Sequence, residues 1–182
     1  MPEMDKSPAP RNITTMTHPW IDLVRNSDRL DVLYSTAPPL ESVRLRSVHL
    51  NWRGPSLTLR LDLPSFPENA PTEWLKSGND TFQCHLQFLA IDHFTMEAWT
   101  PPAFADISFS PAHDHRISVD VAGQGSVLSF DSSESILVGH MSAFTASEAG
   151  SDSGPHNFLG RLDARRFTSL PDTHEKTYYE RL

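Results

Sequence analysis

The sequence predicts a mainly β (α+β) protein: an antiparallel meander of about eight strands forms a sandwich or a curved, barrel-like sheet, with short N-terminal helices. From about residue 42 onward, apolar and polar residues alternate, which places one face of each strand against a core. Turn signals rich in Pro and Gly separate these stretches. A chain of 182 residues, 38% hydrophobic and 21% charged, is long enough to bury one such core.

The residues before the strands predict a leader and two short helices. Residues 1–16 are polar and proline-rich without periodicity, so we expect a disordered leader. Thr17 can cap a first helix with Pro19 in its first turn, and Ser27 can cap a second that Pro38-Pro39 ends. The apolar residues at helical spacing are Trp20, Leu23 and Val24 in the first helix and Leu30, Leu33 and Tyr34 in the second.

The first two strands are predicted from their alternation. In residues 43–52 the phase slips by one position near Arg46-Ser47, which indicates a β-bulge or a break between strands. After the turn at Gly54-Pro55, four leucines alternate with polar residues: Leu57, Leu59, Leu61 and Leu63. Since such a strand has one face in the core and one in water, we expect Arg60 and Asp62 to be solvated.

The remaining strands follow a proline-rich loop at residues 64–79, which holds one helical turn around Trp74. The next strand directs Cys84 into the core and His85 to the polar face. Five further candidates are residues 94–99, 105–109, 116–121, 126–130 and 135–141. The turn signals that separate most of them are Pro101-Pro102, Pro111 and Gly123-Gln124-Gly125.

The domain prediction is a single β-rich domain at residues 17–146. Residues 147–160 lose all periodicity and are rich in Ser and Gly, which is typical of a linker. We therefore expect residues 147–182 to be a linker and a C-terminal tail, which either forms one short docked helix or stays mobile.

The charge is concentrated in the predicted β module. The net charge is −8, and residues 47–146 hold four basic and eleven acidic side chains, a net charge of −7. This balance disfavours nucleic-acid binding, because holding phosphates needs a basic patch. It favours a basic protein partner, unless the acidity only keeps the domain soluble. The predicted contact residues are Glu68, Glu73, Trp74, Asp80 and Glu97.

The tryptophans differ in their expected exposure. Among the four tryptophans, Trp74 in the proline-rich loop is the candidate for exposure and for anchoring a partner, while packing in the core or anchoring of the loop is the somewhat favoured alternative. Trp52 and Trp99 stand at strand ends, where packing in the core is the expectation.

Few residues suggest chemistry. There is no phosphate-binding glycine motif and no G-x-S-x-G elbow. His113 and His115 form a weak metal pair that an extended segment would point to one side, but a site needs three or four ligands, so we expect neither metal nor cofactor. The alternative function is a small-molecule-binding or hydrolytic β-barrel, with an interior lined by Gln83, His85, Gln87 and His93.

The sequence also bears on location. No stretch approaches the ~18 consecutive apolar residues of a membrane helix, and the first residues lack the apolar core of a signal peptide. We therefore expect a cytoplasmic protein with no membrane partner.

Several segments together resemble the immunity protein 50 family, over roughly residues 18–145. The most specific is the strand G-P-S-L-T-L-R-L-D-L-P at residues 54–64. The others are Trp20, Leu33-Tyr34, Pro38-Pro39-Leu40, Val43-Arg44-Leu45, Trp74 and residues 78–83. Members of this family are small actinobacterial proteins associated with polymorphic toxin systems.

The resemblance implies an intracellular protein that binds and neutralises a cognate toxin and is not an enzyme. It carries no catalytic residue over to this chain. The acidity of the β module leads us to expect a basic toxin. The tail after residue 146 lies outside the resemblance.

Overall fold

A computed structural model describes residues 19–152, 154–171 and 173. In this part of the chain the strands are β1 (Val43–Asn51), β2 (Ser56–Asp62), β3 (Thr81–Leu89), β4 (Asp92–Ala112), β5 (Arg116–Ser133), β6 (Ile136–Phe144) and β7 (Asn157–Phe158). The helices are a 3₁₀ turn (Trp20–Leu23), α1 (Asp28–Leu33), α2 (Thr72–Lys76) and α3 (Arg161–Arg166). The predicted leader, residues 1–16, and Thr17 lie outside the described residues.

The strands form one antiparallel sheet in the order β5-β4-β1-β2-β3-β6-β7. The prediction of a mainly β, antiparallel fold with short N-terminal helices is confirmed. The sheet is not closed into a barrel.

Four of the predicted short strands are in fact two long ones, β4 and β5. Pro101-Pro102 and Gly123-Gln124-Gly125, predicted as turns, lie inside these strands. The register shifts between Trp99 and Phe104, so the prolines lie in an irregularity of the ladder. A Cβ on Gly123 would stand 2.1 Å from the Phe104 carbonyl oxygen, so glycine here allows two backbones to approach closely rather than to turn.

The β4–β5 pair curls back on itself. The amide of Glu134, just after β5, donates to the His115 carbonyl at 3.1 Å, and the Arg116 guanidinium donates to the Ala90 carbonyl at 2.9 Å. Inside the curl, the Phe130 ring meets the Phe88 ring edge-on at 5.1 Å. The long ribbon therefore covers the apolar face of the sheet.

The core between the sheet and the ribbon follows the predicted periodicity. The register of β1 and β2 shifts between Leu45 and Ser47, which confirms the bulge expected there. Cys84 is fully buried, and burial raises the pKa of its thiol. Ser27 precedes α1 as predicted, although its side chain makes no capping hydrogen bond, and α1 packs Leu30 and Leu33 into the core.

The outer edge of β6 is covered by several groups. The Arg25 amide donates to the Ile136 carbonyl at 3.0 Å. The Asn26 side chain donates to the Val138 carbonyl at 2.7 Å and accepts from the Val138 amide at 3.0 Å. Farther along, β7 pairs with Ser142 and Ala143. These groups occupy the backbone positions that an additional strand would use.

Candidate functional site

The polar face of β2 and β3 is buried, so the prediction that it is solvated is wrong. Asp62 is 5% exposed, Gln83 0% and His85 3%. The alternation in sequence is real, since the leucines of β2 do face the core. The polar face is covered by residues that the sequence assigns to a linker and tail.

We call residues 149–152 and 154–171 the C-terminal cover. Its β7 extends the sheet, and the Leu159 amide donates to the Met141 carbonyl at 2.9 Å. Two arginines of β1 hold its start: Arg44 donates to the Ala149 carbonyl at 3.1 Å and Arg46 to the Gly150 carbonyl at 3.0 Å. The short helix α3 lies within it.

Charged groups meet beneath the cover. Arg46 donates from two nitrogens to the Asp62 carboxylate, at 2.5–3.0 Å, and the Gln83 amide donates to the same carboxylate at 2.6 Å. Arg60 on β2 pairs with Asp152 of the cover. One ion pair therefore lies within the sheet, and the second joins the sheet to the cover.

Ser142, His156 and Asp152 form a hydrogen-bonded relay. The Ser142 Oγ lies 2.8 Å from His156 Nδ1, and His156 Nε2 lies 2.5 Å from the Asp152 carboxylate. Burial raises the pKa of Asp152, but the hydrogen bond to His156 and the charges of His156 and Arg60 outweigh it, so the pKa is lowered. Ser142 is fully buried, so in this arrangement the relay attaches the cover and offers no hydroxyl to a substrate.

Two histidines meet farther along the same face. The rings of His85 and His140 lie edge-on with centroids 5.0 Å apart, and both residues are 3% exposed. Within the described chain, His85 Nε2 and both ring nitrogens of His140 have no hydrogen-bond partner. His140 stands at a register shift of β6 with φ +48°, a left-handed conformation that is uncommon for residues other than glycine. Burial, then His140 and Arg60, lowers the pKa of His85 to about 3.

The predicted contact residues are not equally available. Trp74 is 2% exposed and packs against Phe66 and Phe82, which agrees with the packing alternative and not with its use as an exposed contact residue. The four acidic residues are exposed. Two of them also accept hydrogen bonds from backbone amides: Glu68 from Ser35 at 2.9 Å and Asp80 from Ala146 at 2.9 Å.

Trp52, which was expected in the core, is 79% exposed at the tip of the β1–β2 hairpin. The Arg53 guanidinium lies 5.0 Å from its ring centroid. The alternation in sequence predicts a buried face along the whole of β1. The pairing of β1 with β4, however, runs from Val43 to Leu45, so Trp52 lies beyond the part of β1 that pairs with β4. Trp99 is half-buried against the core.

The histidines predicted for metal or catalysis do not meet in one site. His113, Asp114 and His115 form the tight turn between β4 and β5 rather than an extended segment, and Asp114 and His115 adopt positive φ there. No group of three or more His, Cys, Asp or Glu that could hold a metal occurs among the described residues. His93 is exposed, with its Nδ1 2.8 Å from the Asp131 carboxylate, whereas His85 lies beneath the cover. The barrel interior of the alternative function is therefore not formed by these residues.

Most of the acidity of the β module lies in one pair of strands. Residues 92–134, which we call the acidic ribbon, comprise β4, the turn, β5 and the following Glu134. They hold seven acidic side chains and one basic side chain, Arg116. Five of the seven acidic side chains are exposed: Asp92, Glu97, Asp106, Asp114 and Asp120. The sequence alone contains this charge signal, because the seven acidic residues can be counted along one continuous stretch of the chain.

A family model described as immunity protein 50 matches residues 26–137, more than half of the chain. The chain belongs to this family. The matched part of this immunity protein 50 member begins just before α1 and ends within β6, so the acidic ribbon lies inside it and the C-terminal cover outside. Membership supports an immunity function, implies a toxin partner and suggests a non-enzymatic role.

Two further comparisons were negative: no curated protein and no solved structure matches the chain. Within the described residues, every helix is too short or too polar to cross a bilayer.

Proposed function

We propose that this immunity protein neutralises the cognate toxin of a polymorphic toxin system in the cytoplasm, by occluding the toxin and by charge complementarity to it. The proposed toxin is basic. The observation that carries the proposal is the acidic ribbon, a folded element with a net charge of −6 inside the family match.

The ribbon suits electrostatic recognition because five of its acidic side chains are exposed, and two of them, Asp106 and Asp120, share an outward face. Asp106 is opposite Ala122 and Ser108 is opposite Asp120, while Ile107 and Val119 point into the core. Rigid strands therefore hold the carboxylates on one side. A surface of one sign raises the rate of association with an oppositely charged protein, and salt screens this effect.

Glu68, Glu73 and Asp80 remain a second proposed contact area. Glu68 precedes α2, Glu73 lies in it, and Asp80 follows it. Glu68 and Asp80 also accept hydrogen bonds from backbone amides of other loops, so their substitution would alter local structure as well as charge. Glu97 lies in β4 of the ribbon, and its side chain is exposed. It is therefore the cleaner residue for a test of charge.

The first experiment is an affinity pull-down from the native organism with the full chain as bait, at low and at moderate salt, followed by mass spectrometry. We expect one stoichiometric basic protein that is lost as salt rises. Expression of that protein alone should arrest the growth of a test host, and co-expression of the bait should restore it. A captured protein that is not toxic would contradict the proposal.

Charge reversal then tests the ribbon. We expect Glu97→Lys combined with Asp120→Lys to slow association with the captured toxin at low salt by at least about tenfold and to reduce its salt dependence. Surface plasmon resonance at several salt concentrations measures both. Glu41→Lys combined with Glu148→Lys, at two exposed positions outside the ribbon, is the control matched in net charge. Equal effects of the ribbon and control variants would contradict a role for the ribbon.

A further inference from the structure

The C-terminal cover is attached more weakly than the strands beneath it. Its helix α3 contributes no buried residue, and Leu162 is 57% exposed. The buried apolar side chains among its described residues are Leu170 and Pro171. Most of its attachment is instead polar, through Arg44, Arg46, the Arg60–Asp152 pair and the Ser142–His156–Asp152 relay. Segments with few buried apolar contacts open at a lower free energy than the rest of a fold.

We propose that the C-terminal cover is an acid-released lid, which separates from the polar face of β2, β3 and β6 when the buried His85, packed against the His140 ring, takes up a proton. The proposal does not depend on the identity of the toxin, because the cover lies outside the acidic ribbon and outside the family match.

The charged groups around the pair show why protonation opposes closure. Arg60 of β2 faces His85 and would repel its charged form. From α3, the Asp163 carboxylate lies 3.3 Å from His140 Nδ1 and would attract a charge there. The Phe167 ring lies 5.6 Å from the His140 ring, and the Pro171 carbonyl accepts a hydrogen bond from His85. Among the described residues, a protonated His85 would thus face the Arg60 charge and the His140 ring 5.0 Å away, while the Asp163 carboxylate lies beside His140.

The relay holds the cover closed, because His156 Nε2 lies 2.5 Å from the Asp152 carboxylate. Release therefore depends on His85, whose Nε2 has no hydrogen-bond partner within the described chain.

The sign and size of the effect follow from linkage. In the closed state the pKa of His85 is lowered to about 3, and in the open state it returns towards its usual value of about 6.5. The open state therefore binds the proton first as pH falls below about 6.5. Between pH 7.5 and pH 5.5 the equilibrium constant for opening rises about tenfold for His85 alone.

Hydrogen exchange with mass spectrometry on the full chain tests the proposal. We expect the opening constant of residues 154–171, corrected for intrinsic exchange, to rise about tenfold from pH 7.5 to pH 5.5, while β2 and the core of β1 remain protected. His85→Phe, which keeps a ring beside His140, should remove most of this rise. His113→Phe, in the exposed β4–β5 turn, is the matched control and should leave it unchanged.

A second variant does not depend on how the core tolerates a new ring. Asp163→Asn removes the carboxylate beside His140 from the half-exposed helix α3 and should make opening at pH 5.5 larger than in the wild type. Three results would overturn the proposal: exchange of residues 154–171 that does not change with pH, exchange of the cover and β2 together, or a rise that persists in His85→Phe.

Discussion

Trp74→Ala is expected to lower the free energy of unfolding by about 3–5 kcal/mol, the range for removing a buried large aromatic side chain. Trp74 is 2% exposed, and its ring lies 6.4 Å from the Phe66 ring and 6.1 Å from the Phe82 ring. The substitution would leave a cavity between α2 and β3 that these rings cannot refill. Equilibrium urea denaturation followed by far-UV circular dichroism measures the change.

Trp52→Ala is the matched control for this prediction. Trp52 is 79% exposed at the hairpin tip and contacts Arg53, so its removal should change the free energy of unfolding by less than about 1 kcal/mol. If the two tryptophan variants were equally stable, the packing described for Trp74 would be wrong.

The second large effect is expected at Asp62. Asp62→Ala should lower the free energy of unfolding by about 3–5 kcal/mol, because it leaves the Arg46 charge buried without its carboxylate. Arg46 and Asp62 side chains are 12% and 7% exposed, and Gln83 would lose the acceptor of its amide as well. The same urea titration measures this change.

A double variant separates the loss of the pair from the loss of packing. Arg46→Met combined with Asp62→Leu should recover most of the stability, since replacing a buried ion pair by apolar side chains of similar size is often neutral. Asp120→Ala, on the exposed face of β5, should change the free energy of unfolding by less than about 0.5 kcal/mol. A double variant as unstable as Asp62→Ala would show that the loss does not come from an unpaired charge.

The parts of the fold that the sequence predicted are those decided by local periodicity. The slip near Arg46-Ser47 is the bulge of β1, and the leucines of β2 and Cys84 of β3 face the core. Leu30 and Leu33 are likewise buried from α1. In each case the spacing within a few residues determines which side of an element is apolar.

The errors in the fold arise where distant segments decide the outcome. Alternation in β2 correctly separates two faces, but it cannot reveal that residues about 90 positions later cover the polar one, as Asp152 does for Arg60. The same limit explains the tryptophans. The proline-rich loop made Trp74 the candidate for exposure, yet this loop folds back onto β3. Trp52 follows β1 at the hairpin tip, beyond the residues of β1 that pair with β4.

For the candidate site, the charge was predictable and the buried chemistry was not. Seven acidic residues in residues 92–134 can be counted without a structure, although only Glu97 of the predicted contact residues lies there. The relay of Ser142, His156 and Asp152 joins a strand to a stretch that reads as a linker. The fold alone brings these three side chains together.

The Asn26 side chain has a consequence for the behaviour of the protein in concentrated solution. Because the Asn26 amide bonds both backbone groups of Val138, a strand of another copy cannot pair with β6 at that residue, which opposes edge-to-edge aggregation on that side of the molecule. An alanine there would expose a hydrogen-bonding template to every other copy. At high concentration this edge of the sheet is therefore protected from pairing with other copies.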